Sequence, residues 1–295
     1  MHKSIMLLSV AAAGFAWTAS SICPPSASAA TNSAAYSRST WLWETPLIRS
    51  NASDVLAFAK NKGLNEIYLQ INRDLKPADY QTFIKAAGEA GIKVDALDGR
   101  PSWGFAKSRP NIEAWLNWVN DYQENAAPDE KFAGIHVDIE PYATSAWSAG
   151  SPGFVEQWQN NVRYIEGRAR EMKLPVHADL PFWLNGYRTP DGTETLSRWM
   201  MRHYDAVTIL AYRDTAGAIA ETADKELEEA ADLGIPAMIG LETLPSKEAA
   251  WITFNGRSLS YLNEQIGQAE TLLKDRNAFS GFAIHEFRAW QAMKA

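Results

Sequence analysis

The sequence contains a single cysteine, Cys23, among 295 residues. One cysteine excludes an intrachain disulfide framework and any multi-cysteine metal site. Basic residues are also short: 28 Lys and Arg stand against 35 Asp and Glu, for a net charge of −7. That acid excess argues against nucleic acid and against anionic membrane surfaces as partners. Gly-x-Ser-x-Gly, His-x-His and His-Glu-x-x-His are all missing, which removes common signatures of serine and zinc hydrolases. A glycine-rich phosphate turn is missing too. Glu44-Thr45-Pro46 stands after the first expected strand, where a dinucleotide-binding sheet would carry it.

What is present begins with a targeting signal. Met1-His2-Lys3 precede an apolar run from Ser4 to about Ala19, too short for a membrane span. Small residues then lead to Ala27-Ser28-Ala29-Ala30. This pattern predicts a secretory signal peptide over residues 1–29, cut after Ala29. Ser20, Ser21 and Ile22 before Cys23 fit a lipoprotein signal poorly. The exported chain is therefore expected to lack cysteine, to be secreted and free of the membrane, and to carry −8 once Lys3 is removed (−7 − 1). Residues 30–40 read as a polar N-terminal stretch, and residues 41–295 as one catalytic domain. At 46% hydrophobic and 21% charged, the chain can bury one sizeable core.

Hydrophobic runs then alternate with helical patterns. Strands are predicted at Trp41–Glu44, Glu66–Asn72, Ile92–Asp98, Phe132–Glu140, Pro175–Pro181, Ala206–Tyr212, Pro236–Glu242 and Gly281–Phe287. Helices are predicted between them, opened by Ser53, Pro77, Pro110, Ser151-Pro152, Glu194, Gly217 and Ser260. Eight such units predict a single (β/α)8 barrel with its chemistry at the carboxyl ends of the strands. An open doubly wound sheet is the alternative.

The most informative segment is Phe132-Ala-Gly-Ile-His-Val-Asp-Ile-Glu-Pro-Tyr142. Ile135, Val137 and Ile139 alternate with His136, Asp138 and Glu140, the period of a strand. An ordinary strand would turn the polar set to solvent. Here the set ends in two carboxylates and a proline, so it is expected to face a site. Asp138 and Glu140 stand about 6.5 to 7 Å apart along the backbone. Two carboxyls that close cannot both ionise cheaply, which keeps one protonated as a general acid requires.

In a barrel, one rim would gather Glu44, Gln70, Asn72, Asp98, Asp138, Glu140, Asp179, Tyr212, Arg213, Glu242, His285 and Glu286. Acids dominate, which suits a neutral polyol. Trp43, Trp103, Trp147, Trp183, Trp251 and Trp290 fall at or after strand ends. Flat rings stack on sugars, although at least half of these tryptophans are expected simply to pack. The expected partner is a carbohydrate, with no cofactor.

Gly134-Ile-His-Val-Asp138-Ile-Glu140 resembles the strand-four signature of the family 18 glycoside hydrolases, the chitinase-like barrels. Leu210-Ala211-Tyr212 is similar to the Met-x-Tyr of strand six, and Gly281-Phe-Ala-Ile-His285-Glu286 to the Gly-x-x-x-Trp of strand eight. The resemblance implies that Glu140 is the general acid. It implies that Asp138 orients a substrate acetamido group acting as nucleophile, and that Tyr212 hydrogen-bonds the same group. This chain departs in three places. His136 stands for an Asp, His285 for the floor tryptophan, and Asp98-Gly99-Arg100 for Ser-x-Gly-Gly.

Three other assignments stay open. Glu140-Pro141 and Glu242 resemble the acid/base and nucleophile of the large clan of retaining glycosidases, though Asn-Glu-Pro is incomplete here. His136, Asp138 and Glu140, with His177, Asp179 and His285, could instead hold a metal in a metal-dependent hydrolase. A non-catalytic sugar-binding barrel is the third. Neither the sugar, the linkage nor the oligomeric state follows from these residues.

Overall fold

The computed structural model describes residues 36–145, 147 and 152–295. The expected signal peptide, Cys23 and most of the polar stretch lie outside the described residues. From Tyr36 onward the chain forms one unit. Eight strands close into a parallel barrel in sequence order. They are β1 Ser37–Leu42, β2 Glu66–Gln70, β3 Lys93–Asp98, β4 Gly134–Val137, β5 Val176–Pro181, β6 Ala206–Leu210, β7 Ala237–Glu242 and β8 Phe279–His285. The helices are α1 Leu47–Ser50, α2 Ala52–Asn61, α3 Pro77–Glu89, α4 Arg109–Asn125, α5 Pro152–Met172, α6 Leu196–Met201, α7 Ala216–Leu233, α8 Leu259–Leu273 and α9 Phe287–Gln291. None is long and apolar enough to cross a membrane among the described residues.

Two boundaries differ from the sequence pattern in ways that matter. β1 starts at Ser37 rather than Trp41, because Ser37–Thr40 pair with β8 along one edge and Ser39–Leu42 with β2 along the other. Its polar residues hide the strand in the sequence, yet Thr40 Oγ1 donates to Ile284 O at 2.7 Å. β4 leaves the ladder at Val137, so Asp138 and Glu140 stand just beyond it. There Asp138 N still donates to Asp98 O at 3.2 Å.

Outward side chains such as Leu42, Ile67, Ile135, Ala178 and Ile239 pack under the helices in the main core. A smaller cluster, Trp41, Tyr68, Leu97, Leu210, Met238 and Ala283, comes from alternate positions of six strands and fills the bore. This alternation gives a barrel two apolar layers and leaves the strand ends for chemistry. Gly281 closes the seam. It has φ +145°, and a Cβ there would lie 1.9 Å from Ser37 O.

Candidate active site

Backbone contact between β3 and β4 places the first carboxylate. Gly99 lies so near the chain that an added Cβ would fall 1.9 Å from Asp138 O. Only glycine permits that approach. Pro141 then opens a short 3-10 turn, Pro141–Ala143, that swings Tyr142 back over its neighbour. Tyr142 Oη donates to Glu140 Oε1 at 2.6 Å.

Asp138, Glu140, Asp179, Tyr212, Glu242 and His285 line one pocket of 120 Å³ with Trp41 and Leu210. They come from the ends of β4 to β8, with Trp41 from β1. Burial raises the Glu140 carboxyl above its ordinary range; Tyr142 pulls it down, and Asp179 adds to the rise. Burial likewise lifts Asp138 well above its ordinary value, helped by the charges of Asp179 and Glu140. Asp138 Oδ1 is buried and has no hydrogen-bond partner among the described residues. Asp179 is pushed to about 8 by burial, although Trp41 Nε1 donates to its Oδ2 at 2.9 Å. Tyr212 is raised far enough by burial and by Glu242 and Glu140 to remain a phenol, hence a donor.

Glu242 is held differently. Its Oε1 accepts from Thr243 N at 2.8 Å and Leu244 N at 2.7 Å, and His285 Nδ1 lies 3.0 Å from Oε2. Trp43 Nε1, which can only donate, reaches His285 Nε2 at 3.0 Å. That contact makes Nε2 the acceptor and puts the ring proton on Nδ1, facing Glu242. Burial lowers the His285 pKa, but Glu242, Asp138 and Asp179 outweigh it and leave it raised. Protonation of the ring would therefore break the Trp43 contact.

The small pocket opens on a cleft of 820 Å³ that shares Glu140, Leu210, Tyr212 and Glu242 with it. Trp183, Arg213 and Trp251 line the cleft. The Arg213 guanidinium lies 4.8 Å from the Phe182 ring and 4.7 Å from Trp251. Trp251 is 56% exposed, an unusual position for an indole.

Other expected site residues have different surroundings. Glu44 is exposed and pairs with Arg288 at 3.0 Å. Glu286 is buried and caps α9 by accepting from Arg288 N and Ala289 N. Trp103 is buried against Trp115. Asn72 makes a turn through Asp74 N and contacts Tyr80 Oη with its backbone. Asp98 accepts from Gly99 N at 2.8 Å, and burial raises its carboxyl. Trp147 packs on Phe154, Trp158 and Tyr187. His136 lies fully buried in the bore, stacked on Tyr68 with ring centres 3.7 Å apart. None of these seven lines either cavity. Trp41 and Tyr142, which the sequence did not single out, do. Tyr142 had a signal, two residues past Glu140 behind a turn-forming proline.

No protein-family profile and no curated protein matches the sequence. Solved structures do match in shape. A chitinase from Chromobacterium violaceum ATCC 12472 superposes with a TM-score of 0.52 at 12% identity, over 88% of this chain and 97% of that one. In fold, the chain is a (β/α)8 barrel similar to that of this chitinase. The spore cortex-lytic enzyme SleL of Bacillus megaterium QM B1551 gives a TM-score of 0.55 at 12% identity, over 87% and 72% of the two chains. An endo-β-N-acetylglucosaminidase from Cordyceps militaris gives 0.55 at 11% identity, over 85% and 81%.

Proposed function

We propose that this chain is a secreted glycoside hydrolase acting on an amino-sugar glycan, with Glu140 as general acid. The single observation that carries this reading is the 120 Å³ pocket in which Asp138, Glu140 and Tyr212 converge. A recess of that size admits a small polar substituent such as an acetamido group. A sugar ring would sit above it in the cleft. Trp183 and Trp251 offer flat apolar surface there.

In this mechanism the acetamido carbonyl oxygen attacks the anomeric carbon as the bond to the leaving oxygen breaks. Glu140 gives its proton to that leaving oxygen. Asp138 accepts from the acetamido N–H and stabilises the positive charge that develops on the oxazolinium ring. Tyr212 donates to the carbonyl oxygen and orients it. Glu140, now a carboxylate, takes a proton from water as the water adds to the anomeric carbon. The acetamido group reforms, and configuration is retained.

Glu242 supports a second reading on neutral glycans, as a nucleophile in place of the acetamido oxygen. It lines the same pocket; two backbone N–H groups hold Oε1, and His285 Nδ1 lies 3.1 Å from Oε1 and 3.0 Å from Oε2. The metal-hydrolase set is divided, because His136 and His177 do not line either cavity.

A hydrolysis screen tests the proposal. Chitin oligosaccharides, peptidoglycan strands and a neutral mannan are assayed for new reducing ends, with and without a thiazoline analogue of the oxazolinium ion. Hydrolysis of acetamido sugars alone, blocked by the thiazoline, is expected. Cleavage of mannan alone would favour Glu242, and binding without cleavage would favour a sugar-binding barrel.

A further inference from the structure

Below the pocket, towards the amino ends of the strands, the bore holds a second polar group. Asp95 on β3, His136 on β4 and His177 on β5 each present one donor atom, and these atoms lie within 4.8 Å of one another. Asp95 and His136 are 1% and 0% exposed. His177 is partly exposed, which leaves a path from solvent.

Inside the protein this group is under-satisfied. Among the described residues, both Asp95 oxygens and His136 Nδ1 are buried without a hydrogen-bond partner. His177 Nδ1 approaches Asp95 Oδ2 at 2.9 Å, an ion-pair distance. Leaving a buried polar group unpaired is costly, because it has given up water and gained nothing in return. An Asp95–His177 ion pair accounts for two of the residues and leaves His136 Nδ1 with nothing.

The other side of His136 is arranged as a ligand's is. Its Nε2 lies 3.0 Å from Asp179 Oδ1, and the opposite carboxylate oxygen is tied to Trp41. Metal-bound histidines almost always give their second N–H to a carboxylate, a backbone carbonyl or water, which fixes the tautomer and leaves the first nitrogen's lone pair on the ion. Tyr68 stacks on the ring and holds its plane.

We propose that Asp95, His136 and His177 bind one first-row transition dication, zinc foremost, that braces the amino end of the barrel. Two imidazoles and one carboxylate suit zinc or cobalt and disfavour calcium and magnesium, which take oxygen ligands. Zinc lies about 2.0 to 2.2 Å from such donors, which sets tetrahedral donors about 3.4 Å apart, so the widest pair, at most 4.8 Å now, closes by up to about 1.4 Å on loading. Asp179 stands between this site and the proposed hydrolytic pocket, but the metal assignment does not depend on the hydrolytic one.

The test reads metal, not hydrolysis. Chelator-stripped protein is dialysed against buffered micromolar zinc, and bound metal is measured by mass spectrometry beside a thermal melt. About one zinc per chain and a rise in Tm are expected, because a ligand that binds only the folded state stabilises it. Asp95→Asn and His177→Ala should each cut retained zinc at least tenfold. His203→Ala should not, since His203 pairs with Glu166 elsewhere at 2.6 Å. Wild type retaining no more zinc than the Asp95→Asn/His177→Ala double variant would overturn the proposal, as would equal loss in His203→Ala. If the variants do not fold, cobalt loading of the wild type decides. Visible bands of imidazole-bound, four- or five-coordinate cobalt support the site, and their absence overturns it.

Discussion

Tyr142 holds Glu140. Its hydroxyl donates a 2.6 Å hydrogen bond to Glu140 Oε1, two residues back along the chain. The bond stabilises the charged carboxylate and opposes the burial that raises the Glu140 pKa. Tyr142→Phe should therefore raise that pKa further. A general acid works while protonated, so the basic limb of the pH profile of kcat/KM should move to higher pH. A neutral hydrogen bond is worth about 1 kcal/mol, so the rate at the optimum should fall less than roughly tenfold. An unmoved basic limb would separate Tyr142 from the acid.

Asp138 and Glu242 distinguish the two mechanisms. If the acetamido oxygen attacks, Asp138→Asn should cost about 10² or more in kcat while Glu242→Gln costs about tenfold or less. If Glu242 attacks, its loss should be severe, and azide should rescue Glu242→Ala by giving a glycosyl azide. Kinetics of the two variants on one acetamido substrate and one neutral substrate check this.

Much of the barrel was legible because its strands carry a strong period and most of the helices between them are announced by Ser or Pro. The carboxylates were legible for the same reason: alternation alone puts Asp138, Asp179, Tyr212, Glu242 and His285 on inward positions. What the sequence concealed is side-chain direction beyond the strand ends. Glu286 follows His285 directly but turns to cap α9, and Trp103 folds into the core under α4. Trp41 reaches Asp179 across 138 residues, a pairing that no local pattern records. β1 was read short because its first four residues are polar and are satisfied only by a barrel that has already closed.

Glu226 gives a stability prediction independent of catalysis. It is fully buried on α7, with Asn185 Nδ2 donating to Oε1 at 2.7 Å and Oε2 without a partner among the described residues. Burial raises its carboxyl from 4.5 to about 8. Between those values the folded state binds more protons than the unfolded state, so this contribution falls as pH rises. Glu226→Gln cannot ionise. Its Tm relative to wild type should climb as pH goes from 4.5 to 8.5, by about 2 to 4 °C per kcal/mol recovered. Melting curves at four pH values check the slope, and a flat difference would place the ionisation elsewhere.

The most direct test of Glu140 as general acid varies the leaving group. Wild type and Glu140→Gln are compared on a natural oligosaccharide and on a dinitrophenyl glycoside of the same sugar. A dinitrophenolate leaves without a proton, so it needs no acid. The account predicts a loss of about 10² to 10⁴ in rate on the oligosaccharide and a far smaller loss on the dinitrophenyl glycoside. Equal losses on both substrates, or full activity of Glu140→Gln on the oligosaccharide, would contradict it.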